Sequence, residues 1–314
     1  MISRRQAVLG AAAFAFGGAT FGQRLARAED GLAAASPWVV GLGARMRLLR
    51  GAPLADKDGA AAGIEIALDP GFKTYWRMPG DAGVPPVFDW SGSGNLASIA
   101  TDWPAPQRFA EAGVSVIGYG GDNVVLPLRI AAADAAIPVK LALTLSYAAC
   151  KSICVPLKAD AALLLTPDAP GGLYASLIEA ASREVPRRAE AAALGLDRPR
   201  SVTLSLAQGH SGLSLHPRLD PDEHVLDIFV EAPGNWLFGA PRASSDRVSG
   251  DPSPQPGPSP QLDLGPQLDL GPQLDLPLLD HPKRVDRAED IPFTLTLVTD
   301  RRAVETMIGV RPVT

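Results

Sequence analysis

Two residues of this sequence combine a reactive side chain with a suggestive spacing. They are Cys150 and Cys154, its two cysteines, inside "LSYAACKSICVPLKA" at 145–159. Three chemistries are open to such a pair. It could form a structural disulfide, its thiolates could bind a soft metal such as Cu(I), or it could exchange disulfides with a partner. A bond between them would enclose only five residues, and so short a loop removes little entropy from the unfolded chain. With Lys151-Ser152-Ile153 as a hairpin tip, the two cysteines stand opposite each other. Cross-strand Cβ atoms lie roughly 4.5–5.5 Å apart, and a disulfide needs roughly 3.5–4.5 Å. The pair can therefore close with some strain, and strain makes a disulfide labile. Metal ligation lacks further donors. His210, His216, His224 and His281 fall at no zinc-ligand spacing from the pair, and the four methionines form no cluster. Lys151 and Lys158 are candidates to stabilise a thiolate.

The elements that must hold this pair follow from hydrophobic periodicity. In "VKLALTLSY" (139–147), Val139, Leu141, Leu143, Leu145 and Tyr147 share one parity. Beyond the turn, Ile153, Val155, Leu157, Leu163 and Leu165 keep it. Both cysteines have the other parity, which sets them on the face opposite the core, towards solvent. Partial alternation recurs in 38–51, 63–71 and 123–132. Short strands between turn signals about every 8–12 residues describe a β-sandwich. The aromatic-, Gly- and Pro-rich stretch 74–95 reads as a long ordered loop with short edge strands.

A helical segment follows at 171–195, where Leu173, Leu177, Ile178 and Ala181 recur at helical spacing and Pro186 ends the first part. Alternation returns in 201–208, 224–233 and 291–300, the mark of a second β-rich domain. Within it, Pro-Gln-Leu-Asp-Leu is repeated in tandem from Pro260, Pro266 and Pro272. Recurrent proline removes ladder donors, so about 244–283 reads as a disordered insertion. At the start, Arg4 and Arg5 precede an apolar run from Ala7 to Phe21, with Ala26-Arg27-Ala28 as a small-x-small cleavage site. These features describe a twin-arginine export signal over 1–28. The expected division is a sandwich over 29–168, a helical linker over 169–195 and the second domain over 196–314. Export places the cysteines in an oxidising compartment.

The composition excludes several function classes. A net charge of −5 with no basic stripe argues against a nucleic-acid binder. "GHSG" (209–212) is no nucleophile elbow. "GYGGDN" (118–123) lacks the helix and acidic residue of a dinucleotide fingerprint. No cofactor or metal ligand set is read from the sequence.

From about Gly63 to Leu165, the motifs "GFKTYWRMPGDAGVPPVFDWSGSGN", "DWPAPQRF", "IGYGGDNVVLPL" and "YAACKSICVP" occur in that order. This third of the chain resembles the periplasmic N-terminal domain family of the disulfide reductase DsbD, nearest its ScsB-like branch. The resemblance implies a mainly β fold, an immunoglobulin-like sandwich carrying a cysteine-bearing hairpin, here followed by the second β-rich domain. It implies a periplasmic module that takes electrons from a membrane thiol carrier of DsbD/CcdA type and passes them to thioredoxin-like and other disulfide proteins. Cys150 and Cys154 become the redox pair, with Cys154 the exchanging thiol and Cys150 its resolving partner. An aromatic cap covers the pair in the family, and "IGYGG" makes Tyr119 the candidate. Two departures stand out: the C-x3-C spacing is tighter than in the best-known members, and the membrane and thioredoxin-like regions are not in this sequence. The alternative is a non-catalytic binding or copper-tolerance protein that uses the thiols as Cu(I) ligands or as a staple.

Overall fold

The computed structural model describes residues 33–53, 61–111, 114–167, 169, 171–198, 201–207, 211–243, 273–285 and 290–313. The signal-like segment 1–28 lies outside them. Among the described residues no helix is long and apolar enough to cross a membrane.

The alternating segments become strands wherever one side chain in two is apolar. Along the first lobe they are β1 (Val39–Val40), β2 (Ala44–Arg50), β3 (Ala62–Leu68), β4 (Lys73–Gly80), β5 (Val87–Asp89) and β6 (Leu96–Thr101). Then come β7 (Gln107–Glu111), β8 (Val114–Gly120), β9 (Asn123–Ala132), β10 (Val139–Cys150) and β11 (Cys154–Leu165). They form two sheets, β1-β2-β3-β9-β6 and β11-β10-β4-β8-β7, with β5 paired to β10. All of these pairings are antiparallel. Met46, Leu48, Ile64, Ile66 and Leu126 from one sheet meet Trp76, Ile117, Leu141, Leu143 and Leu145 from the other. Each fully buried side chain of this size contributes about 1.5–3 kcal/mol. This core holds an immunoglobulin-like sandwich together.

The stretch read as a loop at 74–95 is different. Residues 73–80 form β4, an interior strand of the second sheet. Its neighbours Tyr75 and Trp76 are both buried but belong to different clusters, one on each face. A strand covered on both faces shows no alternation, which hid it in the sequence.

The helical segment resolves into α1 (Ala175–Arg183) and a short 3-10 turn at Ala191–Leu194. The helix buries Ile178 against Leu49 and Val125, on the outer face of the first sheet. Gly63 permits that approach, since a Cβ there would lie 3.0 Å from Ile178 Cγ1.

The second lobe contains β12 (Arg187–Arg188), β13 (Val202–Ser205), β14 (Gly212–Leu215), β15 (Val225–Glu231) and β16 (Leu237–Phe238). It continues with β17 (Arg242–Ala243), β18 (Leu274–Asp280), β19 (Ile291–Thr299), β20 (Ala303–Val310) and β21 (Pro312–Val313). The sheets are β12-β20-β19-β15 and β16-β18-β14-β13-β21, with β17 beside β18. Phe293 packs edge-on against the stacked pair Trp236 and Phe238, its ring centroid 5.5 and 5.8 Å from theirs. Strand β18 corrects the reading of the repeats. The third copy is not part of a disordered insertion: Leu274 and Leu276 are buried and pair with Leu215 and Leu213. Alternation with a buried face outweighs the proline at Pro277. The first two copies, and 244–272 as a whole, lie outside the described residues.

The lobes meet through charge and two aromatic rings. Arg108 Nε donates to Asp227 Oδ2 at 2.9 Å, and Arg77 Nη2 to Glu231 Oε1 at 2.7 Å and to Glu305. Trp76 and Phe229 pack with ring centroids 5.7 Å apart. Burial pushes the Asp227 carboxyl up, against the opposing pull of Arg108.

Candidate active site

Strands β10 and β11 pair at twelve consecutive positions, from Val139↔Leu165 to Cys150↔Cys154, without a register shift. The hairpin therefore ends with the cysteines directly opposite each other, Cα atoms 4.1 Å apart and sulfurs bonded. The tip is closed by the Lys151 amide, which donates to the Ile153 carbonyl at 3.1 Å. On its other side β10 is tied to β4 by the pairs Ala149↔Thr74 and Cys150↔Lys73. The Thr74 hydroxyl donates to the Ala148 carbonyl at 2.9 Å and reinforces that seam.

The parity argument holds for the face. Tyr147 and Ala149 point into the sandwich core, while Ala148 and Cys150 belong to a small cluster on the other side with Tyr75 and Val116. It does not hold for solvent exposure. Cys150 is only 2% exposed, covered by that cluster and by Phe109 packed against it. Cys154 is exposed, as is the neighbouring Ile153 at 67%. The bond thus joins an exposed residue to a buried one.

The Tyr75 hydroxyl lies 2.9 Å from Cys150 Sγ and 3.0 Å from Cys154 Sγ. Disulfide sulfurs carry no proton, so the phenol is the donor to both. Tyr119, the expected cap, does not reach the pair. Its ring lies in the sandwich core and its hydroxyl donates to the Pro104 carbonyl at 2.9 Å. The reason is again parity: in β8, Ile117 and Tyr119 face the core, and Val116 faces the disulfide cluster. Burial pushes the Tyr119 phenol well up, so it stays neutral.

The two lysines named as thiolate stabilisers are turned elsewhere. Lys151 Nζ donates to the Pro70 carbonyl at 3.1 Å. Lys158 stands opposite Ser146; Asp89, held low chiefly by the Ser91 amide, also feels its charge. Lys73 is nearer the pair, opposite Cys150, with Nζ 5.1 Å from the Phe109 ring centroid. Among the described residues no group of three or more His, Cys, Asp and Glu is placed to hold a metal ion.

Tyr75 and Phe109 are the site residues that sequence reasoning missed. Both sit inside motifs that carried the resemblance, "GFKTYWRMPG" and "DWPAPQRF". Neither could be aimed at the cysteines before β4 and β7 were known to be strands of the same sheet.

Over residues 46–166, which hold most of the sandwich and the whole cysteine hairpin, the chain matches the family model "Thiol:disulfide interchange protein DsbD, N-terminal". Residues 46–166 are thus DsbD N-terminal-like. Among solved structures, the chain is similar to the N-terminal periplasmic domain of ScsB from Proteus mirabilis, at a TM-score of 0.60 and 20% identity. That likeness covers 88% of this chain and 98% of the ScsB chain. It therefore extends past the DsbD-type domain into the second lobe, as a likeness of fold. No curated protein matches the chain.

Proposed function

We propose that this chain is an exported thiol–disulfide exchange module in which Cys154 exchanges with partners and Cys150 resolves. The observation that carries the proposal is the asymmetry of the bond: Cys154 is exposed, and Cys150 is buried beside Tyr75 and Phe109. An attacking thiolate can approach Cys154 Sγ, and the hidden sulfur is then the leaving group. In the opposite direction, the Cys154 thiolate attacks a partner disulfide and expels one partner thiolate. The Cys150 thiolate then displaces the other, which restores the Cys150–Cys154 bond and leaves the partner as a dithiol. Two electrons and two protons move in all.

The sandwich over 29–168, the linker over 169–195 and the second domain over 196–314 would divide these tasks, with the redox pair in the first. The DsbD-type assignment and the periplasmic origin of the similar ScsB domain support a periplasmic location, reached through the twin-arginine signal at 1–28. They also support a membrane thiol carrier of DsbD/CcdA type as electron source and thioredoxin-like proteins as acceptors.

The test is exchange between the reduced, purified protein and an oxidised thioredoxin-like protein, followed by thiol alkylation and mass. Cys154→Ser should abolish exchange, and Cys150→Ser should accumulate a mixed disulfide through Cys154. Exchange unchanged by either substitution would remove the proposal. Stoichiometric Cu(I) binding by the reduced protein, with no exchange, would replace it with the copper-tolerance reading.

A further inference from the structure

We infer that Tyr75 is a catalytic hydrogen-bond donor that stabilises the Cys150 thiolate whenever the disulfide opens. This inference rests on the exchange reading and deepens it. Cys154 is the sulfur open to attack, so a donor thiolate R–S⁻ forms R–S–S–Cys154 as the Cys150–Cys154 bond breaks. The bonding pair leaves on Cys150 Sγ. That atom is buried among Tyr75, Val116 and Ala148, so the new thiolate has almost no water to solvate it. An unsolvated charge is costly unless a hydrogen bond meets it.

Tyr75 already holds that bond in the oxidised protein, at 2.9 Å from Cys150 Sγ. It needs no rearrangement to serve the leaving group, which is the condition for effective electrostatic catalysis. Its second contact, 3.0 Å to Cys154 Sγ, polarises the sulfur under attack. The same phenol serves the reverse direction, where Cys150 must be a thiolate to resolve a mixed disulfide. The two candidate lysines cannot substitute from where they stand. Lys151 donates to the Pro70 carbonyl, and Lys158 lies four residues along β11 from Cys154. The phenol is itself held on β4, whose pairing with Cys150 and Ala149 fixes its distance from the bond.

The test uses the full chain and dithiothreitol as the attacking dithiol, so it does not depend on identifying a protein partner. Tyr75→Phe keeps the ring and deletes the donor. Reduction of the Cys150–Cys154 bond should slow by about tenfold or more, the size expected for a lost hydrogen bond to a charged group. In a Cys154→Ser background, Tyr75→Phe should also raise the Cys150 pKa by about one unit, since a unit is a tenfold change. That shift is read from thiolate absorbance against pH, and a purely packing role would not produce it. A reduction rate within about twofold of wild type, with an unmoved Cys150 pKa, would overturn the inference. Should Tyr75→Phe fail to fold, 3,5-difluorotyrosine at position 75 replaces it. The more acidic phenol should lower the Cys150 pKa, and no change would overturn the inference equally. A wild-type protein that reacts normally with dithiothreitol but with no thioredoxin-like protein would defeat the exchange reading and leave the role of Tyr75 standing.

Discussion

The two lobes are built on one plan and differ in what they do with their outer surfaces. Each packs two sheets around an aliphatic and aromatic core, from Ala44 to Leu165 in one and from Leu194 to Val310 in the other. In the first lobe, one outer face is covered by α1 and the other carries the disulfide with Tyr75. The second lobe has no cysteine, and its carboxylates Asp227, Glu231 and Glu305 face Arg108 and Arg77 of the first. The carboxylates of the second lobe and the guanidinium groups of the first fix one lobe against the other, while a separate, mostly apolar cluster on the first lobe holds the disulfide. Sheets of similar design can therefore be assigned to chemistry or to docking by a few residues on the outside.

That division can be broken experimentally, and the largest effect belongs to the disulfide. Cys154→Ser should take exchange to background while lowering stability by only about 2 kcal/mol, because a five-residue loop removes little chain entropy. Chemical denaturation read beside the exchange assay measures both. A stability loss well above that would make the bond a staple and blur the contrast.

Arg108→Ala tests the other side. It strips Asp227 of the guanidinium held at 2.9 Å and should cost about 3 kcal/mol in urea unfolding, with dithiothreitol reactivity per folded molecule unchanged. Altered reactivity would show that docking and chemistry are coupled. Ile178→Ala removes a buried side chain between α1 and the first sheet and should cost about 2–4 kcal/mol. It too should spare the Cys150–Cys154 bond, which lies on the other sheet.

A pH effect of smaller size comes from Glu223 in the second lobe. Burial would push its carboxyl up, but Arg302, the Asp220 amide and the Thr299 hydroxyl together hold it below the usual glutamate value. Its contribution is thus fully present above the ordinary pKa of about 4.3. It is lost as pH falls through the depressed folded value. Glu223→Gln should flatten that acid limb in stability measured against pH and leave reactivity near pH 7 unchanged. Lys151→Ala should do least. Its ammonium is exposed and bonded to a backbone carbonyl, and a shift within about 0.5 kcal/mol is expected.

What the sequence disclosed follows from which faces are covered. Strand β10 was legible because Val139, Leu141, Leu143, Leu145 and Tyr147 are buried while the residues between them are at least partly exposed. The facing of the cysteines was legible for the same reason, since Val139 to Tyr147 sets a parity that runs unbroken to Cys150. Strand β4 was not, because Tyr75 and Trp76 are buried on opposite faces. The burial of Cys150 depends on Tyr75 and Phe109, whose strands are distant in sequence. Tyr119 was misplaced although Ile117 shares its parity and faces the core. At Leu274 the repetition of proline masked two buried leucines.

The unbroken register of β10 and β11 also bears on how the protein matures. Its twelve pairs are all local in sequence, joined by a three-residue turn. A hairpin of this kind closes in about 1–10 μs, whereas disulfide formation takes seconds to hours. The thiols are thus brought face to face long before an oxidant acts on them. Folding of the hairpin therefore precedes oxidation, and the bond closes on a geometry that the register of the two strands has already set.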